Sequence, residues 1–347
     1  MEIGAYSFGD TQRGPDGSSR STAEAVKNLF DAIVLADQVG LDYFGVGEHH
    51  TASMPASSPG ALIAAAAAAT TQITLGSAAS IIGTDDPVRV FQQFATADAI
   101  SGGGRIEITA GRGSSVETFP LFGFDLNDYD ELYAQKLDLL LTLNNSRTEN
   151  VTWSGTVRPP IPNLAVVPRP VSGSLPIWIA TGGSAPSSVR AGRLGLPISY
   201  GIIGGQPHRF APLANLYRQS AQQAGHTDNN IKVSVATFGL VAPTKQEAID
   251  RLYPGWVNLN LEMGKLRGWP APQRRDFLAQ VDAPNAYFVG DPDDVAERIV
   301  DLHRHLGHMR HFLQGDHGGL PQEHLLESIG LLATEVKPRV ARLLAAK

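Results

Sequence analysis

The chain has 347 residues, which exceeds the usual size of one compact domain but is ordinary for a single α/β barrel with insertions. Hydrophobic residues make up 42% and charged residues 18%, so a disordered chain is excluded, and the lack of cysteine excludes disulfides, thiolate nucleophiles and cysteine-bound metal clusters. A formal net charge of −6, without any run of Lys or Arg, argues against nucleic acid or an anionic membrane and favours a small-molecule partner.

The N-terminal residues do not resemble a targeting signal. The stretch "MEIGAYSFG" has neither a basic region nor an apolar core. The most apolar run, "GALIAAAAAAT" at 60–70, is about half as long as a helix that spans a bilayer. We therefore expect a cytoplasmic protein without a membrane span.

Short β-rich runs alternate with helical patterns from end to end. In the first half, the predicted strands are "EIGAYSF", "YFGVGEHH", "ITLGSAAS" and "RIEITAG", followed in turn by helices at 22–39, 59–70, 87–101 and 128–144. In the second half, the strands are "PIWIATG", "PISYGII", "KVSVATFGLV" and "MRHFLQ", followed by helices at 185–194, 208–225, 244–252 and 321–345. Strands that alternate with helices in this way are typical of a parallel sheet.

Eight βα units without an evident linker favour a closed (β/α)8 TIM barrel over an open doubly wound sheet. We expect one α/β domain over 1–347, with insertions after strands four and seven. Segments 112–127, 145–175 and 253–285 interrupt the period and fit no helix, and their Pro, Gly and Trp content predicts ordered loops.

The interrupting loops should cover the substrate. Their aromatic residues, with one from strand six, favour an apolar or aromatic compound, although core packing explains each nearly as well. These residues are Phe119, Phe122, Tyr200, Trp256 and Trp269.

The second strand ends in Glu48-His49-His50. Consecutive strand residues point to opposite faces, so the two imidazoles are not expected to bind one metal. The ligand spacings of a zinc site are also missing. We expect His49 to act as an acid/base group or hydrogen-bond partner in the pocket, with Glu48 and His50 holding it in place.

The alanine run 64–69 in the second helix would let another helix approach closely. Contact with another helix of the same chain is the simpler interpretation, and contact with a second subunit is the more specific one.

The end of strand five predicts an anion site. The strand ends in Gly182-Gly183-Ser184 and a helix begins directly, so free backbone N–H groups, the helix dipole and the hydroxyls of Ser184 and Ser187 could hold a phosphate. An ordinary serine-capped turn remains the alternative. Arg112, between two glycines after strand four, is a second candidate phosphate ligand, because a guanidinium offers paired donors.

The histidines near the C-terminus are interpreted as a solvated helix end followed by a strand, not as a metal site. His317, in a glycine-flanked loop after strand eight, is the one placed to reach the pocket. Asp316 beside it could raise its pKa. The full group is His303, His305, His308, His311 and His317.

Other enzyme signatures are missing from the sequence. A nucleophile elbow of the Gly-x-Ser-x-Gly type is not found, and neither a dinucleotide fingerprint nor a Walker loop stands at a convincing position. A built-in nicotinamide-binding domain is therefore not expected.

Four strand-end motifs together resemble the bacterial luciferase-like, flavin-dependent monooxygenase family. They are "GVGEHH" after strand two, "LGSAAS" at strand three, "TAGRGSSVETFPLFGFD" after strand four and "GGSAPSSVRAGRLGLP" after strand five. The similarity covers essentially the whole chain, including the order and spacing of these motifs.

The resemblance implies FMN at the mouth of a (β/α)8 barrel. It implies that Ala78 and Ala79, which end strand three, lie against the isoalloxazine, often through a non-proline cis peptide, and that His49 is the catalytic residue near the flavin. The residues it implies for the phosphate are Arg112, Gly183, Ser184 and Ser187.

The resemblance also implies an FMN-dependent oxidoreductase. We expect a two-component monooxygenase in which a separate NAD(P)H:flavin reductase supplies reduced FMN and O2 oxygenates a small organic substrate. Bacterial luciferase has a cysteine near the flavin and this chain has none, so light emission is not implied. Family members often form homodimers through helices two and three. The alternatives are a deazaflavin-dependent hydride-transfer oxidoreductase and a flavin-binding protein without turnover.

Overall fold

A computed structural model of the chain describes residues 1–12, 18–113, 117–227, 230–268 and 270–346. Within these ranges the strands are β1 (Glu2–Ser7), β2 (Tyr43–Val46), β3 (Thr74–Ser77), β4 (Ser80–Ile81), β5 (Ile106–Gly111), β6 (Asn150–Trp153), β7 (Ile161–Ala165), β8 (Ile177–Thr181), β9 (Ile198–Ile202), β10 (Val233–Val241), β11 (Tyr287–Gly290) and β12 (Arg310–Gln314).

Eight of these strands close a parallel barrel. Their order around the ring is β1, β2, β3, β5, β8, β9, β10 and β12, and β12 pairs with β1 to complete it. The short β4 extends the third position of the ring beside β5, and β11 pairs in parallel with the second half of β10. The predicted closed (β/α)8 barrel is confirmed.

Helices surround the ring. They are α1 (Thr22–Val39), α2 (Pro59–Ala69), α3 (Pro87–Ser101), α4 (Thr118–Leu121), α5 (Tyr129–Asn145), α6 (Ala185–Leu194), α7 (Ala211–Gln223), α8 (Lys245–Arg267), α9 (Arg274–Val281), α10 (Pro292–Leu306), α11 (Gln322–Leu331) and α12 (Lys337–Ala345). Across the described ranges, no helix combines the length and the apolar character needed to cross a bilayer.

The inside of the barrel is closed at its N-terminal end. The Arg310 guanidinium of β12 donates to both carboxylate oxygens of Glu107 on β5 and also pairs with Glu2 of β1. It lies 4.3 Å from the ring centre of Tyr43, and the Phe312 ring packs on Tyr43 in the next layer. Because these side chains fill the barrel near the N-terminal ends of its strands, a ligand has room only at the C-terminal ends.

The structure corrects the prediction that the three interrupting segments fit no helix. In 112–127 the chain forms α4, and in 253–285 α8 continues to Arg267 and α9 follows. Segment 145–175 has no helix beyond Asn145, the last residue of α5, but β6 and β7 pair in it as an antiparallel hairpin. The insertions after barrel strands four and seven are confirmed, and they contain regular structure because their apolar residues pack on the barrel.

Candidate active site

The inward positions at the barrel mouth differ in size from one half of the ring to the other. On one half they are glycine or alanine. A Cβ added to Gly111 would lie 3.0 Å from the Cβ of Ala79 and 3.9 Å from that of Ala180. One added to Gly45 would lie 2.6 Å from the Cβ of Ala78. We call these five residues, Gly45, Ala78, Ala79, Gly111 and Ala180, the small-residue surface.

The Ala78–Ala79 peptide bond is cis, as the resemblance predicts. It lies between β2 and β5, with Gly45 on one side and Gly111 on the other. The two neighbouring glycines leave room for this connection, because any larger side chain would collide with an alanine methyl group.

Large side chains fill the opposite half of the mouth. Tyr6 of β1 packs edge-on against Phe8, with ring centres 5.8 Å apart. Phe238 of β10 stacks on the ring of His317 at 3.9 Å. The open space at the mouth is therefore bounded by a flat side of small residues and a wall of rings.

The turn after β8 has the geometry of an anion site. Gly183 has a φ of 106°, which favours glycine, and its N–H and that of Ser184 both point at the Thr181 hydroxyl, at 3.2 and 3.1 Å. Ser184 caps α6, and its hydroxyl accepts from the Ser187 N–H at 3.4 Å. Hydroxyl oxygens thus occupy the positions that anion oxygens would take at such a helix start.

Gly182 leaves space in front of this turn, since an added Cβ there would meet no atom within 4 Å. Gly182, Gly183, Ser184 and Ser187 thus lie together at the start of α6, and their part in an anion site stays a prediction.

Arg112 follows β5 but is engaged elsewhere. Its Nη1 donates to Asp130 of α5 at 2.9 Å, and the guanidinium lies 5.2 Å from the ring centre of Tyr129. Asp130 is exposed, so this ion pair is a weak competitor for an anionic ligand.

A second arginine, which was not predicted, lies near the start of the helix. Arg190 of α6 lies 5.2 Å from the Tyr133 ring centre, and its Nη1 is buried without a hydrogen-bond partner among the described residues. Its spacing of three residues from Ser187 places both on one helix face, a signal that could have identified it.

Glu48, His49 and His50 follow the end of β2 and turn to different partners. The Glu48 carboxylate accepts from the Ile81 N–H at 2.8 Å and lies 3.0 Å from His50 Nε2. The His49 ring packs edge-on against Phe8 at 4.7 Å. Burial lowers the pKa of His49, so its imidazole is neutral at neutral pH. The two histidines separate, but not by the strand alternation predicted, because β2 ends at Val46 and both lie in the following loop. Glu48 orients His50, not His49.

His317 lies at the mouth as predicted, but Asp316 does not raise its pKa. Burial lowers the pKa of His317 to about 4, and its Nε2 lies 3.3 Å from the Tyr287 hydroxyl. The Asp316 carboxylate instead accepts from the Ser7 hydroxyl. Adjacent residues in this turn point to opposite sides.

Part of the C-terminal histidine group lies at a solvated helix end, as the sequence predicts. His303 and His305 lie in the last turn of α10. His308 and His311 are buried, however, and His311 Nδ1 lies 3.2 Å from His308 Nε2. His311 of β12 faces away from the barrel interior because it alternates with the inward Arg310 and Phe312, and His308 lies beside it just before the strand.

One potential metal-ligand group occurs among the described residues, away from the small-residue surface. His208 Nε2 lies 2.9 Å from Asp301 Oδ2, and the His208 and His305 rings stack at 4.0 Å. Parallel rings direct their nitrogen lone pairs along parallel lines, so these two histidines do not converge on one ion in this arrangement.

The aromatic residues proposed for substrate contact are mostly core residues. Phe119, Tyr200 and Trp256 are buried, and Trp269 lies outside the described residues. Phe122 is 48% exposed, and its ring lies 5.0 Å from that of His50. Phe122 is therefore the one of the described four that can meet a ligand near residues 48–50, the Glu48 segment.

Comparison with known proteins agrees with this architecture. Residues 1–309 match the family described as luciferase-like monooxygenase. A similar relative is 4-hydroxyprotoasukamycin monooxygenase of Streptomyces nodosus subsp. asukaensis, which is 28% identical over 315 residues, or 87% of this chain and 84% of the relative.

Solved structures of low identity share the fold. The monooxygenase RslO1 of Streptomyces bottropensis has a TM-score of 0.82 at 23% identity, over 97% of this chain and 99% of that one. The oxygenating component of 3,6-diketocamphane monooxygenase from a Pseudomonas putida plasmid, in complex with FMN, has 0.77 at 20%, over 98% of each. An F420-dependent secondary alcohol dehydrogenase has 0.75 at 16%, over 98% and 99%.

The family match covers all four strand-end motifs and every barrel strand before β12. The chain therefore belongs to the luciferase-like monooxygenase family of enzymes.

Proposed function

We propose that the protein is an FMN-dependent oxidoreductase, and specifically a two-component monooxygenase that uses reduced FMN and O2 to oxygenate a small organic substrate. The observation that carries this proposal is the small-residue surface beside the start of α6. A planar ring system fits a flat side without side chains, and a terminal phosphate fits a helix start. FMN combines both groups in one molecule.

The chain's own residues would position the cofactor and the substrate. Gly182, Gly183, Ser184 and Ser187 would hold the phosphate through N–H and hydroxyl groups, while Ala78 and Ala79 would support the ring. When bound and reduced, FMN supplies the electrons for the reaction with O2. The wall of rings opposite would exclude water from the reacting face.

His49 is proposed as the catalytic residue that hydrogen-bonds to the reacting groups or moves a proton. Its lowered pKa means that the neutral, proton-accepting form persists below the ordinary value of 6.5. Activity that needs this form should decline with a midpoint below pH 6.5. A decline centred at or above pH 6.5 would contradict the assignment.

A deazaflavin cofactor is the second candidate, and the F420-dependent dehydrogenase among the fold neighbours favours it. That cofactor would make the protein a hydride-transfer oxidoreductase. Fluorescence titration of the purified protein with FMN and with F420 separates the two proposals. We expect micromolar binding of FMN and none of F420, and the reverse would overturn the FMN assignment.

Turnover is tested by oxygen consumption with reduced FMN supplied by a separate NAD(P)H:flavin reductase. The proposed activity requires a product beyond hydrogen peroxide, formed only when a substrate is present. Binding of FMN with no product from any organic compound would instead favour a flavin-binding protein without turnover. The reductase partner is supported by the lack of a nicotinamide fingerprint in the sequence.

Arg112→Ala should weaken FMN binding by about 30-fold, or ~2 kcal/mol, because a charged hydrogen bond to the phosphate would be lost. Isothermal titration calorimetry measures the change. Arg147→Ala, at an exposed position after α5, is the matched control and should bind FMN normally. Asp130→Asn removes the competing carboxylate and should not weaken binding. Unchanged affinity in Arg112→Ala would remove Arg112 from the phosphate site.

A homodimer through α2 and α3 is proposed from the family. Ala61, Ala65 and Ala68 are exposed at helical spacing on α2, which leaves a face free for another helix. Ala65→Glu should convert a dimer into a monomer in light scattering after size exclusion, because a carboxylate would be buried unpaired. A monomeric wild-type protein, or a variant that stays dimeric, would contradict this interface.

A further inference from the structure

Two carboxyl groups lie buried together where β1 and β12 end. Asp10 is 5% exposed and Asp316 2%, and the Asp10 N–H donates to Asp316 Oδ2 at 3.3 Å. The Ser7 hydroxyl donates to the same oxygen. Asp10 itself accepts from Gln314 Nε2 at 3.1 Å and from the Gly318 N–H at 3.0 Å. The partners that the described residues give to this pair are uncharged.

Two hydrogen-bond acceptors in this cluster lack a donor. Asp316 Oδ1 and Gln314 Oε1 are both buried without a partner among the described residues. One proton carried by the two carboxyls would provide the missing donor, whereas two carboxylates would add a second buried negative charge.

The surroundings favour such a proton. Burial raises the pKa of Asp316 to about 6, and burial together with the neighbouring Asp316 raises the pKa of Asp10. The described titratable groups next to the pair are Tyr6, which interacts with both carboxyls, and His317, whose ring turns away toward Tyr287. None provides a positive charge at neutral pH, because burial raises the pKa of both tyrosines and lowers that of the histidine. Two neighbouring carboxyl groups in such a buried site do not both ionise.

Asp10 also faces a cavity of about 570 Å³ between the loops after β1, β2 and β12 and helix α8. The lining is rich in hydroxyl groups, including those of Thr11, Ser19 and Ser53. Among the described lining residues the cation is Arg20, which is half-exposed and pairs with Glu24 at 3.7 Å. The hydroxyl groups match a molecule that forms hydrogen bonds.

We propose that Asp10 and Asp316 share one proton at neutral pH and that Asp10 binds a hydroxyl group of the substrate in this cavity. With that proton on Asp316 Oδ1, the Asp10 carboxylate keeps lone pairs that can accept a hydrogen bond from a substrate hydroxyl. The binding role rests on the proposed monooxygenase function, because it deepens the description of that substrate. The proposal that the two carboxyls share a proton is independent of the monooxygenase function.

Infrared spectroscopy of the purified protein at pH 7 tests the shared proton without any substrate. We expect the C=O stretching band of a protonated carboxyl group in the wild type, and its loss in both Asp10→Asn and Asp316→Asn. Asp42→Asn is the matched control, since Asp42 pairs with Lys337 at 2.7 Å, and should keep the band. A band of full intensity in both test variants would overturn the pair.

Ser7→Ala covers the case in which the Asp→Asn variants do not fold. It keeps both carboxyls and removes a hydrogen bond to the ionised form of Asp316. The pH midpoint at which the band disappears should therefore rise by about one unit. An unchanged midpoint would contradict the proposed arrangement.

The binding role is tested with phenols and their methyl ethers, with reduced FMN supplied. Asp10→Asn should raise KM at least tenfold for phenols that the wild type oxygenates, while kcat and FMN affinity stay within twofold. Equal KM values in the two proteins, or equal use of ethers by the wild type, would overturn the hydroxyl contact. If the wild type oxygenates neither set, the binding role fails with the monooxygenase proposal, whereas the infrared result still decides the pair.

Discussion

Ala180→Phe is expected to weaken FMN binding by at least about 100-fold, or ~2.8 kcal/mol, while the barrel still folds. Ala180 lies on the inward face of β8, on the same side as Trp178, whose ring packs over Arg310. A phenyl ring at this position would stand where the proposed isoalloxazine lies against Gly111. The added ring enters open space at the mouth, so it should cost little folding energy compared with overpacking a closed core. Fluorescence titration with FMN measures the effect.

Ala341→Phe, at an exposed position of α12, is the matched control and should bind FMN with wild-type affinity. Thermal unfolding of both variants separates a blocked site from a damaged fold. Normal FMN binding by a folded Ala180→Phe protein would mean that the cofactor does not use the small-residue surface, and the proposed function would lose its main support.

His49→Ala is expected to lower the rate of substrate oxygenation by about 100-fold or more, the usual scale for losing a positioned acid/base group. FMN affinity should change by less than threefold, because the phosphate and ring contacts are made by other residues. The measurement is product formation under single turnover, with pre-reduced FMN and a compound that the wild type oxygenates.

His50→Gln is the control for this experiment. Glutamine keeps a donor for the buried Glu48 carboxylate, so the Glu48 segment should hold its position and most of the rate should remain. A wild-type rate in His49→Ala together with a large loss in His50→Gln would reverse the assignment of the two histidines.

The sequence predicts best where the signal is local. The bounds predicted for the helices at 87–101 and 185–194 are those of α3 and α6, and both helices have Pro in the first turn, a serine or aspartate cap and a glycine at the end. Alternating βα units identify the eight barrel strands for the same reason. Each pattern depends on residues a few positions apart, so neighbouring side chains alone indicate it.

Local sequence signals do not predict elements whose formation depends on contacts between residues far apart in the chain. The helical continuation of α8 past Pro254, and the strand β11 beside β10, were not predicted, because their stability comes from packing on the barrel. The same reason explains Tyr200 and Trp256. An aromatic residue in a strand or loop gives no local indication of whether its ring faces a ligand or the core.

The sequence by itself determined the barrel class, the family resemblance and the helix start at Ser184, because each is written in spacings along the chain. Only the tertiary structure decided that Arg112 pairs with Asp130, that Glu48 orients His50, and that one half of the mouth carries small residues alone. It also brought Asp10 next to Asp316, although 306 positions separate them. Closure of the ring sets these contacts, since β12 must pair with β1 before the two carboxyl groups can meet.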